Sequence, residues 1–170
     1  GTHAEHRAAA LADLEASLEA LSLARDYTGF VQGLLTACRL WLHERQWDTA
    51  LDRCTRLAET ARMLGRRDAY GMARSLAGIA LRRLGRWGDA AAALEDGIAG
   101  LGWEPGGAPD QVTAADLPAP VRGPLARALL ELAWVRGEQG RVGDAARHVA
   151  GCVGLRVPGL RPEDELDVRL

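Results

Sequence analysis

The side chains best suited to metal or nucleophilic chemistry in this 170-residue sequence are two pairs at helical spacing. His3 and His6 lie three residues apart near the amino-terminal end, and no third ligand is visible. His148 and Cys152 lie four residues apart, which places both on one face of a helix. Because structural zinc needs four protein ligands and catalytic zinc needs three, neither pair suffices. We therefore predict no metal ion and no cofactor, and we expect Cys152 to pack in the core.

Other polar motifs are also incomplete. Residues 102–107 are glycine-rich, but they lack the lysine and the preceding strand of a phosphate-binding loop. Asp89 and Asp144 each follow a predicted turn, where a carboxylate stabilises the amino-terminal end of a helix. No Ser-His-Asp or Cys-His arrangement is supported. We therefore predict that the chain is not an enzyme.

The composition suits one folded domain, and 48% of its residues are apolar. Neither an apolar run of ~18 residues nor a signal peptide is present, which predicts a cytoplasmic chain without a membrane span. The net charge is −2 and its arginines are interspersed with acidic residues, so no basic stripe for direct nucleic-acid contact is expected. The absence of lysine and asparagine favours a GC-rich bacterial source. The cysteines are odd in number and lie in apolar helical patterns, which predicts buried free thiols at Cys38, Cys54 and Cys152.

A turn motif recurs between segments with helical periodicity. Residues 85–91 read GRWGDAA, residues 140–146 read GRVGDAA, and residues 45–50 (RQWDTA) form a degenerate third copy. Turns that recur between helices predict an array of helix pairs. The apolar periodicity predicts helices at about 4–25, 30–44, 47–64, 68–84, 87–98, 124–139 and 142–153.

Proline and glycine interrupt the helical pattern between the fifth and sixth helices. Residues 102–119 are therefore predicted to form a loop with a turn of helix at 114–117. The tail, 158–170, is predicted to be a loop followed by the start of another helix. Trp103, inside the loop, either tucks against the array or contacts a partner.

These features resemble the tetratricopeptide repeat, whose helix pairs stack into a superhelix. Ala77 and Gly78 match the small residues at the family's helix crossing, and Ala90 matches the small residue of the second helix. Ala50 and Ala145 take that second position in the other copies. The resemblance implies an all-α, right-handed superhelical array of antiparallel helix pairs, with about seven helices.

Within a single domain, 1–170, the resemblance implies a capping helix at 4–25 and repeats at about 28–65, 68–101 and 120–155. These repeats are long and resemble those in large bacterial transcriptional regulators. The sequence is expected to be a piece of a longer protein, and the alternative is a small array with one capping helix at each end.

The resemblance also implies a concave groove along the first helix of each pair. Cationic and aromatic side chains fall on that side, and the expected partner is a protein or peptide. Arginine binds carboxylates in bidentate fashion, so the arginines could bind an acidic segment. The favoured alternative is that they form a solvated arginine face. If these arginines are exposed, replacing Arg82 should change stability by less than about 0.5 kcal/mol. The predicted groove residues are Arg39, His43, Arg82, Arg83 and Trp134.

Three functions follow from this interpretation. The first is a non-enzymatic interaction or sensor module in a bacterial regulatory protein, which binds a peptide or helix in the groove. The second is a scaffold that self-associates into a homo-oligomer, and an extended apolar surface on the last helix would favour it. The third is a small-molecule effector domain of a transcriptional regulator, which a closed pocket beside Arg83 and Trp134 would favour.

Overall fold

The computed structural model describes residues 2–103, 117–155 and 157, and within these ranges the chain consists of helices and their connections. The prediction of an all-α fold with seven helices is confirmed for this part of the chain. The helices are α1 (His3–Leu23), α2 (Tyr27–His43), α3 (Trp47–Met63), α4 (Arg67–Arg83), α5 (Trp87–Gly100), α6 (Ala119–Glu138) and α7 (Val142–Gly154).

The first part of the array has a regular period. Helices α2, α3 and α4 are each 17 residues long. Helices α2 to α5 begin at Tyr27, Trp47, Arg67 and Trp87, each 20 residues after the last. A helix pair with its turns therefore occupies 40 residues, which is the interval that the sequence shows between Trp47 and Trp87.

Successive helices are joined by turns of one type. At the end of α2, the Gln46 amide donates to the Trp41 carbonyl at 3.0 Å, and the Arg45 amide donates to the Leu42 carbonyl at 3.1 Å. These two bonds define a Schellman motif, whose penultimate residue adopts a left-handed conformation. The same pair of bonds ends α1, α3, α4, α5 and α6. The residues in the left-handed conformation are Arg25, Arg45, Gly65, Gly85, Gly102 and Gly140.

The recurrent GRxGDAA motif gives the following helix an ionic amino-terminal turn. The Arg86 guanidinium lies at the start of α5, and its Nε donates to Asp89 Oδ2 at 2.9 Å. Arg141 and Asp144 form the equivalent ion pair at the start of α7. In both copies the carboxylate lies in the first turn, where the helix dipole favours negative charge.

Each helix packs against the next one along the chain, and the first helices of the pairs also contact one another, α2 with α4 and α4 with α6. The buried apolar side chains form two groups, one around α1 to α4 and the other around α4 to α7. Leu51 and Met72 are partly buried and pack against both groups. The core therefore continues along the array.

Helices α4 and α5 cross at backbone contact. A Cβ atom added to Gly71 would lie 2.7 Å from the Leu101 amide nitrogen and 2.8 Å from the Gly100 carbonyl carbon. The small residues expected at this crossing, Ala77 and Ala90, are fully buried. Helix α5 ends at Gly100, two residues beyond the predicted end at about residue 98. Gly97 and Gly100 are the α5 glycines that let α4 approach.

Helix α6 begins five residues before the predicted start at Pro124. Pro120 lies in its first turn, where a backbone N–H has no partner within the helix, so proline loses nothing there. Pro124 lies inside the helix. The predicted loop accordingly ends at Pro118. Most of it, including the predicted turn at 114–117 except Leu117, lies outside the described residues, as does the tail at 158–170.

Candidate binding surface

A buried carboxylate joins α4 to α6. Glu131 on α6 has a side chain that is only 5% exposed, and its Oε2 accepts from Arg82 Nε at 2.6 Å. Its Oε1 accepts from Arg127 Nε at 3.0 Å, one helical turn earlier. The Arg82 side chain is 10% exposed. Removing one partner of a buried ion pair typically costs about 3–5 kcal/mol, because the remaining charge is left uncompensated. This ion pair therefore fixes the position of α6 on α4.

Two indole rings support the neighbouring arginines at the end of α4. The Arg82 guanidinium lies over Trp134 of α6 at 5.7 Å from the ring centroid. The Arg83 guanidinium lies over Trp47 of α3 at 5.8 Å. Cation–π contacts of this kind contribute about 0.5–2 kcal/mol and restrict the side chain. We call Arg82, Arg83, Trp47, Glu131 and Trp134 the Arg–Trp cluster.

The electrostatics of this cluster are unbalanced. Partial burial lowers the pKa of Arg83, and the positive charge of Arg82 lowers it further. Glu131 opposes that shift, while Arg127 and Arg45 add to it. Three arginines therefore oppose the charge of Arg83 and Glu131 favours it, so that with partial burial the environment of Arg83 disfavours its charged form.

The structure brings together three of the five predicted groove residues, Arg82, Arg83 and Trp134. Arg39 and His43 are exposed on α2. In the described ranges, no hydrogen bond, ion pair or ring contact joins either of them to the cluster. The expectation that Arg82 is exposed is wrong, because Glu131 and Trp134 cover it.

Trp103 lies against the array. It is half-buried and packs on the core group around α4 to α7. Its Cζ2 atom is 3.5 Å from the place that a Cβ atom of Gly151 would occupy. Of the two alternatives left open by the sequence, the structure shows the tucked one.

Sequence reasoning missed Trp47 and Arg45 as parts of this surface. Trp47 was interpreted only as a turn residue. A signal for Arg45 was present, because the alignment of the three turn motifs places it opposite Gly85 and Gly140. An arginine at a turn position where the other copies have glycine indicates that its side chain has a role outside the turn.

A second ionic cluster lies where α5, α6 and α7 meet. Arg136 of α6, with a side chain only 10% exposed, pairs with Glu95 of α5 and donates to Gln139 Oε1 at 2.7 Å. The charges of this pair act on His148 of α7. Burial lowers the pKa of His148 first and Arg136 lowers it further, while Asp144 and Glu95 oppose the shift. The imidazole is therefore favoured in its neutral form.

The three cysteines are free and buried, as predicted. A hydrogen bond with Cys38 and burial raise the pKa of the Cys54 thiol, which disfavours the reactive thiolate. Among the residues that the structure describes, no group of three or more His, Cys, Asp or Glu side chains is placed to hold a metal ion. The side chain of His3 lies outside that part.

The described helices include none that is both long and apolar enough to cross a membrane. Fold and site together define an all-α array of helical hairpins with an arginine- and tryptophan-lined junction between α4 and α6. No family model, no curated protein and no solved structure matches this chain.

Proposed function

We propose that the chain is a non-enzymatic interaction module, a right-handed tetratricopeptide-like array that binds an acidic peptide or helix along its first helices. The domain would act inside a larger cytoplasmic regulatory protein of bacterial origin, and the arginine-rich, lysine-free composition supports that origin.

The observation that carries the proposal is the asymmetry between the two layers of helices. The first helices pack on one another, α2 on α4 and α4 on α6, whereas in the described ranges α3 and α5 make no comparable contact. A layer whose members lie closer together is the inner side of a curved stack. Helical-repeat arrays use such an inner side as an extended binding surface.

The Arg–Trp cluster supplies that inner layer with side chains suited to recognition. Arginine and tryptophan are the residues most enriched at interaction hot spots, because they combine a large contact area with directed donors. Here the indoles and Glu131 already hold the guanidinium groups in place. Less side-chain entropy is therefore lost when a partner binds. The excess of positive charge favours an acidic partner.

The proposal is tested by selecting peptides from a random display library against the purified chain and mapping where they bind. The first-helix variant is Arg39→Glu on α2, and its matched control is Arg62→Glu on α3, another exposed arginine. We expect selected peptides to be rich in Asp and Glu, to lose affinity for Arg39→Glu and to bind Arg62→Glu normally. Failure to select any peptide, or loss of binding only with Arg62→Glu, would contradict the proposal.

Self-association is the second candidate, and exposed valines on α7 favour it. Val142 is 71% exposed and Val153 is 57% exposed. Eleven residues separate them, about three helical turns, so both lie on one side of α7. Light scattering over a concentration series measures the mass. A dimer that the double variant Val142→Glu, Val153→Glu converts to monomer would support this function, and a monomer at all concentrations would exclude it.

A further inference from the structure

Arg83 is the arginine of the Arg–Trp cluster without a resident counterion. Both Glu131 oxygens are engaged, one by Arg82 and the other by Arg127. Within the described part of the chain, Arg83 stacks on Trp47 but has no hydrogen-bonded or ionic partner. It is exposed, so a ligand can reach it. A fixed guanidinium with unused donors is a binding group for an anion.

The charged groups around Arg83 also favour binding of an anion. Arg45, Arg82 and Arg127 each act on Arg83 as like charges, and Glu131 is the carboxylate that opposes them. Like charges therefore outnumber the opposing carboxylate among the groups that act on Arg83. A bound anion would relieve the repulsion and gain charge-assisted hydrogen bonds in the same step.

Arg45 lies in the turn between α2 and α3, two residues before the Trp47 ring on which Arg83 stacks, and its backbone is strained. Its φ angle is 59°, in the left-handed region that is unfavourable for a residue with a side chain. Four of the six equivalent turn residues are glycine. Arg25 is the other exception, and it lies in the turn between α1 and α2, outside the set of charges acting on Arg83. The chain therefore contains its own matched control for Arg45.

We infer that Arg83, stacked on the Trp47 indole, and Arg45, two residues before Trp47 in the chain, form an anion subsite that binds two neighbouring carboxylates of an acidic peptide. This inference rests on the proposed function and specifies its ligand. Arg82, Glu131 and Trp134 are positioning residues that hold α6 and the end of α4 in place. This assignment of roles differs from the sequence analysis, in which Arg82 was one of the groove residues expected to contact the partner.

A peptide suits this subsite better than a free small anion. The two arginines are exposed and Trp47 is half-buried, so the site is open and its ion pairs are screened by water. A small anion would gain only these screened contacts. A peptide adds backbone and side-chain contacts along the first helices, and adjacent carboxylates can engage both guanidinium groups.

The test is fluorescence anisotropy of a labelled oligo-glutamate peptide with wild-type protein and three variants. We expect Arg83→Gln to weaken binding about tenfold, the loss of roughly one charge-assisted interaction. Arg45→Gly should weaken binding several-fold, although glycine relieves the backbone strain. Arg25→Gly should bind like wild type, because it relieves the same strain without removing a ligand group. Urea denaturation should show Arg45→Gly and Arg25→Gly to be at least as stable as wild type.

Several results would overturn the subsite. Unchanged affinity in Arg83→Gln and Arg45→Gly would do so, as would an equal loss in Arg25→Gly, which would indicate non-specific attraction. Binding of inorganic phosphate at low concentration, measured by calorimetry, together with no binding of oligo-glutamate, would assign a different ligand. If library peptides depend on Arg39 but not on Arg83 or Arg45, the subsite fails and the proposed groove stands. Oligo-glutamate binding that requires Arg83 and Arg45 would support the subsite. If, in addition, no library peptide binds along α2, the proposed groove is contradicted while the subsite stands.

Discussion

Replacing Gly71 with alanine gives the most direct measure of the close approach between α4 and α5. The new Cβ would lie 2.7 Å from the Leu101 nitrogen, 2.8 Å from the Gly100 carbonyl carbon and 2.9 Å from the Gly97 oxygen. Real Cβ atoms do not come closer than 3.0 Å to such neighbours. All three atoms belong to the backbone, so no flexible side chain can move aside. The two helices must separate, which opens the packing along the whole crossing.

The magnitude follows from two opposing effects. Overpacking of a close interface costs about 1–3 kcal/mol, and the backbone contacts here favour the upper end. Alanine in place of glycine inside a helix gains about 1 kcal/mol from chain entropy. We therefore expect Gly71→Ala to lower the free energy of unfolding by about 2 kcal/mol. Gly137→Ala is the control, since Gly137 lies in α6 with nothing within 4 Å of the added atom. It should raise stability by up to about 1 kcal/mol.

Urea denaturation followed by far-UV circular dichroism measures both variants against wild type. The midpoint should fall for Gly71→Ala and stay or rise for Gly137→Ala. Equal or greater stability of Gly71→Ala would refute the reasoning, because it would show that α4 and α5 do not meet at backbone contact.

Three further changes probe other parts of the array. Ala90→Leu should cost about 1–3 kcal/mol at the other end of the same crossing, and an unchanged denaturation midpoint would contradict that position. Arg82→Gln should cost about 3 kcal/mol, because it removes one of the two ionic partners of the nearly buried Glu131 and leaves only Arg127. Adding Glu131→Gln should recover part of the loss in a double-mutant cycle, and additive effects would mean that Arg82 and Glu131 do not interact. Because the folded-state pKa of His148 lies below its ordinary value, the folded chain binds fewer protons, so stability should fall as the pH drops through about 6.5. His148→Gln should reduce this slope in a series of urea titrations, and an unchanged slope would assign the effect to other groups.

The sequence was sufficient to place those helix boundaries that depend on local turn residues. The starts of α3, α5 and α7 could be placed because each directly follows a recurrent turn, and Gly65 and Gly85 mark the ends of α3 and α4. The start of α6 was missed because proline was treated as a helix breaker. A proline in the first turn is not one.

The site could be predicted only in part. Arg83 and Trp134 were selected because their positions match first helices in the repeat pattern. The Arg82–Glu131 pair joins residues 49 positions apart. Its formation depends on how α6 packs on α4 after the interrupted segment, and no local pattern encodes that geometry. Burial of Arg82 was therefore inaccessible from the sequence, and the same argument applies to Arg136 with Glu95.

The packing of each helix mainly on its neighbours along the chain has a kinetic consequence. Contacts between adjacent helices close short loops, and chains rich in such contacts fold quickly because little entropy is lost before each contact forms. Helices α2 to α5 have this arrangement throughout, with connections of three residues between 17-residue and 14-residue helices. Assembly can therefore start at any of these hairpins and spread in either direction. Docking of α6 on α4 spans a greater length of chain, so we expect it to be the late step, and substitutions at Glu131 to alter the unfolding rate more than the folding rate.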